Sequence, residues 1–135
     1  MKKDITPPVV KDIAIAIVKD KNDEQEDIWN TYIINYKKET INEVLVTSKG
    51  YLTDVKGNET KTSTLRHAMG SFEPNEYKII EPIMENVFAL HNEYWVSFFK
   101  DGRLHDKKIV FLAETVKEEN LIDIPVLNKQ GVMIK

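Results

Sequence analysis

Hydrophobic residues recur at every second position along much of this chain, which is the period of a β-strand. In DIAIAIVKD, Ile13, Ile15 and Ile17 share one face, and alanine and valine occupy the other. The segment IWNTYIINYKK follows a charged stretch and is rich in the β-branched and aromatic residues that strands favour. Both segments are apolar on both faces, so we expect them to be packed on both sides.

More strand-like segments follow at short spacing, and none carries the period of a long helix. They are NEVLVTSKGY, a threonine-rich stretch around residues 60–64, the stretch from Tyr77 to Met84, NEYWVSFFKDG and RLHDKKIVFLAET. This pattern predicts an all-β fold, an antiparallel immunoglobulin-like β-sandwich of about seven strands with a C-terminal tail.

The length of 135 residues is that of one domain. Residues 1–10 are interrupted by two prolines and are predicted to form an extended N-terminal arm, followed by the sandwich over residues 11–113. Residues 114–135 are a C-terminal tail, rich in Leu, Ile and Val, that Pro125 and Gly131 interrupt. This apolar content predicts that the tail docks on the sandwich or on a partner.

The segment NEYWVSFFKDG is a strand that runs into a tight turn, and it is apolar on both faces. Tyr94, Val96 and Phe98 form one row, while Trp95 and Phe99 lie on the opposite face. In a two-layer sandwich one face of each sheet meets the core and the other meets water. We expect the Tyr94 row to face the core, so the Trp95 row needs a second cover.

The dipeptide Asp101-Gly102 is a strong hairpin signal, because both central positions of the favoured two-residue turn need positive φ. With such a loop, Phe99 pairs with Leu104 and Trp95 pairs with Lys108. A three-residue loop would shift this register by one position.

Four residues are the candidate interface residues on these second apolar faces: Trp29, Trp95, Phe99 and Leu104. Two candidates could cover these second apolar faces. One is the C-terminal tail folded back, and the other is a protein partner, including a second copy of this chain in a homodimer. The hypothesis that follows is a non-enzymatic module for protein interaction or self-association.

Composition narrows the function classes. With 19 basic and 22 acidic residues the net charge is −3, and Arg66 and Arg103 are the two arginines, so we expect no nucleic-acid partner. Cysteine is absent, no apolar stretch is long enough for a membrane span, and the N-terminus is not a secretory signal. The expectation is a cytoplasmic protein with no membrane partner.

Catalytic chemistry has little support in the motifs. No phosphate-binding glycine loop, nucleophile motif or metal-binding histidine pair occurs, so we expect no cofactor, no metal and no catalytic residue. The most unusual segment is TKTSTLRHAMGSF, where Thr62, Ser63, Arg66 and His67 are candidate ligand-binding residues of a small-ligand or enzymatic site, the alternative to an interaction module. Hydroxyls and a guanidinium suit a small anion or a phosphopeptide. A hydroxyl-rich edge strand explains the same residues.

The run STLRHAMGSFEPNEYKIIEPIMENVFALHNEYWVSFFKDGRLHDKKIVF resembles a family of short uncharacterised bacterial cytosolic proteins, with the similarity covering roughly residues 10–113. Some members carry the label phenylalanyl-tRNA synthetase alpha subunit, which implies a tRNA-associated accessory domain. A class II synthetase core is much larger and needs arginine-bearing ATP motifs, and neither Arg66 nor Arg103 lies in such a motif. The resemblance therefore assigns no functional residues.

Overall fold

The computed structural model describes residues 9–135, and the predicted N-terminal arm lies outside this range except for Val9 and Val10. Ten strands form two antiparallel sheets, so the all-β class is confirmed, while the count exceeds the predicted seven. Within residues 9–135, no helix has the length and apolarity that crossing a membrane requires. The strands are β1 (Ile13–Lys21), β2 (Asp27–Asn35), β3 (Ile41–Thr53), β4 (Glu59–Lys61), β5 (Leu65–Phe72), β6 (Tyr77–Pro82), β7 (His91–Lys100), β8 (Arg103–Phe111), β9 (Ile122–Ile124) and β10 (Lys129–Ile134), with short 3₁₀ helices over Glu85–Ala89 and Glu118–Asn120.

The chain passes repeatedly between the two sheets. Sheet A has the order β6-β2-β1-β10-β9. Sheet B contains β3, β7 and β8, and both β4 and β5 pair with the remaining edge of β3. The chain therefore crosses from one sheet to the other after β2, β5, β6 and β8.

The inner faces of the two sheets enclose the core. Tyr94, Val96 and Phe98 of β7 are at most 1% exposed, which confirms the prediction that this row faces the core. Sheet A meets them with Ile13, Ile15 and other odd-numbered residues of β1 and β2. Burial of these apolar side chains is the main stabilising contribution of the sandwich.

The C-terminal tail supplies two strands of sheet A. β10 pairs with β1, and Gly131 lies opposite Val18. A Cβ atom on Gly131 would come within 2.6 Å of the Ile17 carbonyl oxygen, so only glycine permits this close approach of the two backbones. The strand count was underestimated partly because Pro125 and Gly131 made the tail look irregular.

The turn between β9 and β10 covers the centre of the outer face of sheet A. Ile124 and Leu127, at the start and middle of this turn, are buried with Ala14, Ala16 and Val18 of β1. The small side chains of β1 leave room for the turn to lie against the sheet. The two apolar faces of β1 are thereby both covered by the chain itself.

A polar cluster ties the tail to the first hairpin. The carboxylate of Asp20, which is 8% exposed, accepts hydrogen bonds from Asn30 Nδ2 (2.9 Å), from the Tyr32 hydroxyl (2.6 Å) and from Lys129 Nζ. Burial alone would raise the pKa of the Asp20 carboxyl, but the bonds from Asn30, Lys129 and Tyr32 outweigh it and lower that pKa. Burial and the bond to Asp20 raise the pKa of Tyr32 to about 12.

Replacing Asp20 with asparagine should destabilise the fold, because a charge that three donors share is lost. We expect the free energy of unfolding near neutral pH to fall by about 2 kcal/mol. The folded-state pKa of Asp20 is lowered. Its contribution is therefore complete above the unfolded pKa of about 3.9 and is lost as the pH falls through the folded value.

Denaturant unfolding of the wild type and Asp20→Asn across this acidic range should show the stability gap closing as the pH falls. Asp23→Asn, a change at an exposed carboxylate in the β1–β2 turn, is the matched control and should have little effect. A gap of constant size at every pH would contradict the assignment of Asp20 as a charged partner.

Candidate functional site

The outer face of sheet B carries a contiguous group of exposed apolar side chains, which we call the exposed face. It consists of Leu45 (52% exposed), Trp95 (43%), Phe99 (43%) and Leu104 (52%). Phe99 lies directly opposite Leu104, and Leu45 lies opposite Ser97, between Trp95 and Phe99. The pairing of Phe99 with Leu104 and of Trp95 with Lys108 confirms the register that the Asp101-Gly102 turn predicted.

Charged residues flank the exposed face at its two edges. One row across the sheet runs from Arg66 on β5 through Thr47 and Trp95 to Lys108 on β8. Asp106, also on β8, lies opposite Ser97 in the next row. A hollow of about 360 Å³ lies beside Trp95 and is lined in part by Leu45 and Arg66. An apolar centre with a charged rim is the usual anatomy of a protein interface.

The C-terminal tail does not cover this face, because β9 and β10 belong to sheet A. The sequence left two possible covers for this face, the C-terminal tail and a protein partner. The tail belongs to sheet A and is therefore not the cover of sheet B. Trp29, predicted as an interface residue, is instead in the core between the sheets. It is 7% exposed, its Nε1 donates a hydrogen bond to Glu85, and its ring packs edge-on against Phe88.

A second feature is a cleft of about 230 Å³ where the β6 edge of sheet A meets β3 and the segment joining β4 to β5 in sheet B. We call it the seam cleft. Its lining includes Ser48, Glu81, Asn92 and Tyr94, together with apolar side chains. Small-molecule sites usually have volumes of about 300–1,000 Å³, so a cleft of this size suits only a very small ligand.

Glu81 connects the two sheets at this cleft. Its Oε1 accepts a hydrogen bond of 2.7 Å from the Ser48 hydroxyl and lies 2.7 Å from Nε2 of His67. Ser48 is on β3 and His67 on β5, whereas Glu81 is on β6 of the other sheet. The Glu81 carboxylate thus links β6 of sheet A to β3 and β5 of sheet B at the open end of the core.

Tyr94 and Thr31 make a second polar link between the sheets. Their hydroxyl oxygens are 3.0 Å apart, and both residues are at most 1% exposed. Burial raises the pKa of the Tyr94 hydroxyl well above its usual value, and the nearby charge of Glu81 adds to this, although the bond to Thr31 acts in the opposite direction. Tyr94 therefore stays protonated and acts as a structural hydroxyl.

The four candidate ligand-binding residues do not share one site. Thr62 and Ser63 line the seam cleft, and His67 reaches it only through its contact with Glu81. Arg66 lies on the outer face of sheet B, because consecutive strand residues point to opposite sides. Residues Ser48, Glu81 and Asn92 were missed, since they come from three separate strands and no local pattern connects them.

The other two histidines have structural contacts. Nδ1 of His91 accepts a hydrogen bond from the Ala113 backbone, and His105 stacks on Phe98 with ring centroids 5.2 Å apart. In the part of the chain that the structure describes, no group of three His, Asp or Glu side chains is placed to hold a metal ion.

No family model, no curated protein and no solved structure matches this chain. The resemblance to short bacterial proteins therefore stays a prediction. The exposed face and the seam cleft are the two features of the structure that bear on function.

The link between Tyr94 and Thr31 can be tested with a double-mutant cycle. Tyr94→Phe leaves the buried Thr31 hydroxyl without its partner, so we expect a loss of about 1–2 kcal/mol in the free energy of unfolding. In the Tyr94→Phe background, Thr31→Val should lower the free energy of unfolding by less than it does in the wild type, because the Tyr94 hydroxyl is already absent. Tyr77→Phe, at an exposed ring, is the control. The link would be refuted if denaturant unfolding showed that the double variant loses the sum of the two single losses in free energy of unfolding.

Proposed function

We propose that this chain is a non-enzymatic interaction module that pairs with a second copy of itself through the exposed face of sheet B. The observation that supports this proposal is the contiguous apolar group of Leu45, Trp95, Phe99 and Leu104 on a sheet face that residues 9–135 leave uncovered. Exposed apolar patches with a polar rim commonly mark interaction sites.

The whole outer face of sheet B, of which the exposed face is the apolar part, has the size of a small symmetric interface. Strands about 4.8 Å apart, with a rise of about 3.4 Å per residue, give four strands of about nine residues an area of about 600 Å². Two such faces together bury about 1,200 Å², the lower limit for specific and stable association. Packing one sheet on another also matches the way in which sheets cover each other inside a sandwich.

The charges around the face also suit a second copy. In a two-fold dimer the same patch occurs on both partners, so the patch must complement itself. Arg66 and Lys108 provide positive charge at its rim, and Asp106 provides negative charge. A rim with both signs allows cations of one copy to approach anions of the other.

We also propose that the fold is immunoglobulin-like and that the protein is located in the cytoplasm. The immunoglobulin-like class is supported by two antiparallel sheets packed face to face and by a chain that crosses between them four times. A cytoplasmic location is supported by the lack of cysteine.

Trp95→Ala should weaken self-association, because a large aromatic side chain at the centre of an interface usually contributes strongly. Sedimentation velocity of the full chain should show a concentration-dependent dimer, and Trp95→Ala should raise its dissociation constant by at least about 30-fold. Circular dichroism and thermal unfolding establish that the variant is folded.

Ile79→Ala is the matched control, since Ile79 is a similarly exposed apolar residue (48%) on the outer face of sheet A. It should leave the dissociation constant unchanged. A wild-type chain that stays monomeric up to about 0.5 mM would overturn the proposal and leave a different protein as the partner. Equal effects of the Trp95 and Ile79 changes would also overturn it.

A further inference from the structure

The seam cleft exists because the inner face of β3 loses side-chain volume toward one end, from Val46 to Ser48 to Gly50. Gly50 lies on this inner face opposite Asn92. A Cβ atom on Gly50 would lie 3.2 Å from Leu90 Cδ1 and 3.3 Å from Asn92 Oδ1. A side chain at position 50 would therefore press against Leu90, Asn92 and Thr62 at the edge of the cleft.

Asn92 presents an unused acceptor to this space. The residue is 6% exposed, and its Nδ2 donates hydrogen bonds to the carbonyl oxygens of Val87 (3.0 Å) and Leu90 (3.1 Å). These two bonds fix the orientation of the amide and direct Oδ1 toward Gly50. Within residues 9–135, no donor makes a hydrogen bond to Asn92 Oδ1.

Glu81 presents a second acceptor, and this one is charged. Its Oε1 is the oxygen that contacts Ser48 and His67. Its Oε2 has no hydrogen-bond donor in the described part of the chain, although the side chain is only 15% exposed. A carboxylate oxygen in largely apolar surroundings is stabilised most by a donor that carries positive charge.

Apolar side chains form much of the wall around these acceptors. Within residues 9–135 no lysine or arginine side chain fills the space, and His67 contacts the other oxygen of Glu81, Oε1. Lys49 is the one basic residue in the lining, but its ammonium group lies over the Tyr51 ring and 3.8 Å from Glu93, away from Glu81. The apolar lining consists of Leu65, Pro82, Ile83, Met84 and Val87.

We propose that the seam cleft binds a small primary amine, with its ammonium group on Glu81 Oε2 and Asn92 Oδ1 and its short apolar chain against Pro82, Ile83 and Val87. An ammonium group supplies three donors, which suits two acceptors in the lining of one cleft. An anion is disfavoured because it would meet the Glu81 carboxylate, and because Arg66 lies on the outer face of sheet B. This site is separate from the exposed face, so it does not depend on the proposed self-association.

The direct test is titration of the full chain with n-butylammonium chloride, followed by nuclear magnetic resonance of the Asn92 side-chain amide and the Met84 methyl group. Saturable shifts of both signals are expected. Butan-1-ol and butyrate, which have the same chain length, should bind at least about tenfold more weakly, because neither brings a positive charge to Glu81.

Glu81→Gln should weaken butylammonium binding by at least about tenfold. Glu93→Gln removes a carboxylate from the opposite face of sheet B and is the matched control, with unchanged binding expected. If Glu81→Gln does not fold, Gly50→Ala serves instead, because it narrows the cleft and keeps the carboxylate, and it should also weaken binding. Equal binding of the alcohol, or no saturable shift up to about 50 mM amine, would overturn the proposal.

Discussion

The structure depends on covering apolar sheet faces, and the described residues, 9–135, cover three of the four faces. The inner faces of sheets A and B cover each other. The outer face of sheet A is covered at its centre by Ile124 and Leu127 of the C-terminal turn. The outer face of sheet B, with Trp95 and Phe99 at its centre, has no such cover within residues 9–135. The inferred self-association follows directly from this imbalance.

The position of the tail depends on two local features of sheet A. Gly131 allows β10 to approach β1 so closely that no Cβ atom would fit, and the Asp20 carboxylate binds Lys129 at the start of the same strand. The first is a steric condition and the second an electrostatic one. Together they hold the tail in sheet A, away from the outer face of sheet B.

Alternation in the sequence correctly predicted which residues share a strand face, and a turn motif correctly predicted one register. The Tyr94 row and the pairing of Phe99 with Leu104 are examples. Alternation does not reveal which face is the inner one when both are apolar, and Trp29 was therefore assigned to an interface although it lies in the core. The seam cleft could not be predicted, because Glu81 and Asn92 meet only after the two sheets have packed.

The most direct test of the uncovered face is fluorine nuclear magnetic resonance of the full chain labelled with 5-fluorotryptophan. The two tryptophans are matched reporters, since Trp95 is 43% exposed and Trp29 is 7% exposed, and Trp95→Phe assigns their signals. If a second copy covers sheet B, the Trp95 signal shifts and loses its solvent isotope effect as protein concentration rises, while the Trp29 signal stays constant. A Trp95 signal independent of concentration, with its solvent isotope effect intact, would contradict self-association through this face.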